Sequence, residues 1–303
     1  MPITRRNLLK TSAIAFSSAL TGTACTDSSS NKPTASVSGE ATHSQVAVEG
    51  LLKEATDLIL HAYPESASSA GIDKGEYADL KSKLTDRSPS GQAQIKSSIA
   101  TLLNKFDALD ASDLSHDDAL NIGVVRSVLA MTAEGFNLPY GDVALLNYNW
   151  SYRNSPYVIA QNTGAFVEIP SFLASSHVIE NEQDVSTYLQ RMEAYANQLD
   201  GETERTIIEG EQGIILPDFL MEKTLGQLKG ARLRSPAEWG IVTDGHARAA
   251  QFGDHYAEQA NTIAAQTIGP ALDRQIAALE ALAPKATSDA GIWAKPGGED
   301  YYA

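Results

Sequence analysis

A single cysteine, Cys25, occurs in 303 residues. An internal disulfide is therefore excluded, and so is a cysteine-rich zinc site. Cations are also scarce. Net charge is −15, and no basic run occurs beyond Arg5-Arg6. A nucleic-acid interface needs a basic patch, so that class is set aside. Neither a P-loop nor G-x-G-x-x-G occurs, which argues against nucleotide cofactors. G-x-S-x-G is missing, and with it the α/β-hydrolase arrangement. Alternation with period two is missing as well, which leaves helices as the repeating element. What remains is 43% hydrophobic and 20% charged, the balance of a soluble globular protein with length enough for a real core.

The first residues read as an address. Thr4-Arg5-Arg6-Asn7-Leu8-Leu9-Lys10 sets a twin arginine, Arg5 and Arg6, ahead of a mild apolar stretch over 11–20. That stretch is too short and too rich in Ser and Thr to span a bilayer permanently. The pattern resembles a Tat export signal. Gly22-Thr23-Ala24-Cys25 follows at the distance of a lipoprotein cleavage site, with Gly22 where leucine is usual. Cleavage there would leave Cys25 as an acylated N-terminus, placing the protein in the periplasm or cell envelope with a membrane anchor. The alternative is a chance arginine pair and a buried cysteine. Residues 1–25 are thus read as the signal. Residues 26–44, mostly Ser, Thr, Asn, Gly and Ala, are read as a disordered tether. One acyl chain alone binds a membrane only marginally.

Residues 45–303 read as a helical domain. Val48, Leu51, Leu52, Ala55, Leu58, Ile59 and Ala62 make an apolar stripe ending near Tyr63-Pro64. The stretch 64–71 reads as a loop and 76–84 as a short helix. Ile95, Ile99, Leu102, Leu103 and Phe106 stripe another helix. Ser115 with Asp117 and Asp118 opens the next. Pro170 reads as a helix start, and Asp184 as the N-cap of a helix nearly 30 residues long. Pro217 opens another. Ser235-Pro236-Ala237-Glu238 is a capping box leading a helix through Trp239, Phe252 and Ile263. Pro270 opens a helix that Pro284 stops, and 299–303 reads as an acidic first turn. The class is all-α, a layered bundle of long helices.

Chemistry is sparse. The six histidines are His43, His61, His116, His177, His246 and His255, and none forms H-E-x-x-H. His246 and His255 are about two and a half turns apart on one expected helix, so their rings face different ways. Glu209, Glu211, Asp218 and Glu222 flank an expected helix junction; they either serve a site or, as the preferred reading, form a solvated helix end. Residues 134–164 lose helical periodicity and gather Gly, Pro, Asn and aromatics. Tyr148, Trp150, Tyr152, Arg153 and Tyr157 either line a cleft there or pack beneath a long loop.

Several segments together resemble a bacterial family, domain of unknown function 885. They include Ser155-Pro156-Tyr157-Val158, Ile169-Pro170-Ser171-Phe172-Leu173 and Tyr188-Leu189-Gln190-Arg191-Met192. Leu199-Asp200-Gly201-Glu202-Thr203, the run Gly213 to Leu220, Pro270-Ala271-Leu272 and the run Gly297 to Ala303 continue the series. Tyr63 to Gly71 looks like the family's opening. The resemblance implies a fold similar to all-helical zinc metallopeptidases, whose long helices wall a deep channel. It implies that this chain is the N-terminal half of such a fold. The family's zinc motif, a His-Glu pair followed by Gly-His-His, matches no position here. No catalytic or metal residue is therefore carried over. Zinc is expected only with a C-terminal half, and peptide substrate or that half is the expected partner. The competing reading is a non-catalytic lipoprotein that binds peptides or proteins.

Overall fold

The computed structural model describes residues 43–143, 145–147, 154–253 and 255–302, and these belong to one compact unit, Ala41–Ala303. The signal and most of the tether lie outside the described residues.

The fold is all-α. Helix α1 (His43–Ala62) ends where Tyr63 precedes Pro64, as the restriction on residues before proline requires. The next stretch is not the expected loop. Pro64–Ala70 forms a buried short helix, α2, with Gly71 in the left-handed conformation at its C-terminus. Proline at N1 suits a helix start, and the small Ser and Ala side chains allow close burial. Gly75–Ser82 winds as a 3₁₀ helix. Helix α3 (Pro89–Asp107) starts at Ser88, whose side chain accepts from the Gly91 N–H. Helix α4 (His116–Gly135) starts at Ser115 in the same way, through the Asp118 N–H. Helices α1, α3 and α4 enclose a core that includes Val48, Ala55, Ile99, Leu102, Phe106 and Leu129.

The larger core lies among the helices that follow. Helix α5 (Ala165–Ser175) begins five residues before Pro170, which sits inside it rather than opening it. Helix α6 (Glu182–Glu211) has 30 residues and spans about 45 Å at 1.5 Å per residue. Asn181, not Asp184, caps it, accepting from the Asp184 N–H at 3.0 Å. Asp184 is instead drawn into a buried pair with Lys81. Helix α7 (Asp218–Arg232) follows Pro217. The Ser235–Glu238 capping box is present, but it closes only one 3₁₀ turn, Pro236–Glu238. The single long helix expected beyond it is broken into α8 (Gly240–Ala249), a 3₁₀ turn and α9 (Tyr256–Ile263), with Gly253 at φ +142° between them. A π-helical segment, Ala264–Ile268, joins α9 to α10 (Gly269–Leu282), and α11 (Gly298–Tyr302) follows.

Helix α6 is the axis of this core. Val185, Tyr188, Met192, Ala196 and Leu199 pack with Ala260, Ala264, Ala271 and Leu279 from α9, the π segment and α10. No helix among the described residues is long and apolar enough to cross a membrane.

Candidate functional site

The other side of α6 is buried and polar. Asp184, Arg191, Gln198 and Arg205 recur at seven-residue steps, as do Glu202 and Glu209, and all six are buried. Seven residues are close to two turns, so each set shares one stripe. Segment 65–88 and the irregular stretch after α4 lie against that stripe.

All six side chains find partners along it, although Gln198 Oε1 accepts from none of the described residues. Arg191 is wholly buried. Its guanidinium donates to the Leu80 and Lys83 carbonyls, the Ser68 hydroxyl and His177 Nδ1. Burial and the adjacent cation push His177 down to about 3. One turn group further on, Gln198 donates to Glu65 and to the Thr85 carbonyl, while Glu65 accepts from the Thr85 N–H and hydroxyl. Arg87 then donates to Glu202 at 2.7 Å and to Glu168 at 2.6 Å. Two buried carboxylates share one guanidinium, and burial pushes Glu202 up to about 7 against the pull of Arg87. The Ala165 N–H, at the start of α5, also donates to Glu202. Gly201 permits this docking: a Cβ there would stand 2.7 Å from the Ser88 nitrogen.

The stripe opens to solvent at its C-terminal end. Arg205 donates to the Asp142 carboxylate and the Gly141 carbonyl, and the Gly141 N–H donates to Glu209 at 3.0 Å. Tyr140 and Tyr301 stack with ring centroids 5.4 Å apart. Among the described residues neither buried hydroxyl has a hydrogen-bond partner. Glu209, Arg205, Tyr140 and Gln212 line a cleft of about 200 Å³. Burial pushes Glu209 up to about 7, with Arg205 opposing. A carboxyl group poised near neutrality in a cleft can give or take a proton, and such groups concentrate at functional sites.

Of the aromatic residues singled out in the sequence, Tyr157 packs against Tyr140, Ile214 and Ile292, and burial raises its hydroxyl to about 12. It shares a small hollow with Glu209. Tyr148, Trp150, Tyr152 and Arg153 lie outside the described residues, as do Arg5, Arg6 and Cys25. Glu209 is not part of a solvated helix end: the chain from Gly141 folds over it. His246 lies on α8 and His255 at the N-terminal cap of α9, so one helix does not carry both. Among the described residues no three His, Cys, Asp or Glu side chains gather as metal ligands would, so no residue set here fits the zinc that the resemblance implies. Of the set Arg87, Glu168, Arg191 and Glu202, only Arg191 and Glu202 had a signal in the sequence, the seven-residue recurrence of polar residues along α6.

Residues 64–303 match the family described as "Bacterial protein of unknown function (DUF885)". The chain belongs to that family. No curated protein matches it. A solved structure described as "the putative lipoprotein from Colwellia psychrerythraea" superposes with a TM-score of 0.78 at 19% identity. The match covers 86% of this DUF885 chain and 45% of the Colwellia chain. This chain therefore spans less than half the length of that relative, and at this identity the likeness is one of fold.

Proposed function

We propose that this DUF885 chain is the N-terminal part of an exported, lipid-anchored envelope protein built like the helical zinc peptidases. In this reading the 303 residues supply one wall of a peptide channel and, lacking a His-Glu motif, carry no peptidase activity by themselves. The observation that carries the reading is the superposition: most of this chain matches less than half of its solved relative. A second feature agrees with it. Leu120, Val124 and Met131 lie along one exposed side of α4. An apolar strip of this kind is ordinarily covered by something. A C-terminal half is the occupant that the reading names.

Dye binding tests it. The purified full chain should bind a hydrophobic dye and self-associate, and Leu120→Lys with Val124→Lys should reduce both. A monomer that binds no dye and unfolds cooperatively would contradict it. The second reading, a non-catalytic peptide-binding lipoprotein, would then lead.

A further inference from the structure

A hollow of about 240 Å³ lies between α5, α7, α8 and α10, well away from the Glu209 cleft. Its wall is mainly apolar and includes Phe166, Leu228, Ile241 and Leu272. Three features set it apart from a packing defect. Pro170, inside α5, has no N–H, so the Phe166 carbonyl four residues earlier lacks its helical donor. Both residues line the hollow. Ile268, also in the wall, ends the π-helical segment, a widened turn of a kind found often at functional sites. A polar group without a partner completes it: the buried Trp239 Nε1–H has none among the described residues. Arg234 lines the mouth and is exposed, with no carboxylate among the described residues paired to it. Its neighbour Arg232, by contrast, is held by Asp273 at 2.7 Å.

An apolar chamber with a free cation at its mouth suits an apolar group that bears a carboxylate. The size is below the roughly 300 Å³ at which drug-sized pockets begin, which favours one amino-acid residue over a long acyl chain. The Phe166 carbonyl, which Pro170 leaves without its helical donor, is assigned as the acceptor for an amide N–H, a group that a fatty acid does not carry. We propose that this hollow binds the C-terminal residue of a peptide, with an aliphatic side chain inside and the carboxylate at Arg234. The inference rests on these residues and not on the zinc-peptidase reading.

Calorimetric titration of the full chain with N-acetyl-leucine tests it. Saturable one-to-one binding is expected, with affinity of about millimolar for so small a ligand. Arg234→Gln, a surface change, should weaken N-acetyl-leucine about tenfold and leave N-acetyl-leucinamide nearly unchanged. Ala231→Phe should fill the hollow and remove binding of both. Binding that is absent, or equal in wild type and Arg234→Gln, would overturn the proposal. So would binding of octanoate without binding of N-acetyl-leucine.

Discussion

Arg191 Nη1 stands 2.9 Å from His177 Nδ1, and both side chains are almost wholly shut off from water. A guanidinium only donates, so Nδ1 must be the lone-pair nitrogen. The imidazole N–H then lies on Nε2 and donates to the Asp184 carbonyl at 3.2 Å. The tautomer is thus set by the cation, and a second proton would place two positive groups in contact. Arg191→Met should cost about 3–5 kcal/mol, because the carbonyls of Leu80 and Lys83 and the Ser68 hydroxyl lose their donor. Chemical denaturation of the variant checks this; a cost below about 1 kcal/mol would show that water replaces the guanidinium.

The same pair sets an acid limit. His177 is depressed to about 3 in the fold, against about 6.5 when unfolded. Between those values the unfolded chain holds more protons, so stability falls as pH falls from 6.5 toward 3. His177→Gln should flatten that part of the stability–pH curve, even where it lowers stability at pH 7.

Glu209 acts in the opposite sense. Its folded value is raised to about 7, above the ordinary 4.5. The folded state therefore holds the extra proton, and its stabilising contribution is complete below about 4.5 and lost as pH rises through 7. Glu209→Gln keeps an acceptor for the Gly141 N–H and removes the titration. Melting temperature of the variant should lose the share of the pH 4.5–7 decline that Glu209 contributes, while Glu202, raised by burial to about the same value, keeps its own share. An unchanged decline would mean that Glu209 is an ordinary ionised surface carboxylate.

Gly141 holds the cleft together. Its φ is +87°, and a Cβ there would lie 2.2 Å from the Ser155 carbonyl oxygen. Asp142 and Ser155 pair through both backbone hydrogen bonds at this point. Gly141→Ala should cost about 1–3 kcal/mol and loosen Glu209 by displacing the N–H it accepts from. Thermal unfolding reads the cost. A melting point within a degree of wild type would show that the loop is not constrained there.

Most of the fold was legible from residue pattern. The stripes of α1 and α3, the Ser115 cap and the length of α6 followed from spacing that packing then used directly. Pro64 to Ala70 carries Ser and Ala without an apolar stripe, because it is buried partly by polar partners such as Arg191 on Ser68 and partly by Leu60 and Leu80 around Ala67. Pro170 carries the signal of a helix start, because a proline inside a helix is costly; it lies inside α5 beside a hollow. The Ser235 box forms but closes a single turn, because the backbone is extended at Trp239, and Gly253 breaks the chain again between α8 and α9. Glu209 looked solvated because nothing local announces that a chain segment some 70 residues earlier will fold over it. The Arg87–Glu168–Glu202 contacts likewise join residues from three distant segments, and only the Glu202 end showed in the seven-residue rhythm.

Intact mass of the protein extracted from its native cells tests the proposed function most directly. The account predicts a chain about twice as long as these 303 residues, beginning at Cys25 and heavier by its acyl groups. A species of this chain's own length with an unmodified N-terminus would contradict both the anchor and the larger fold.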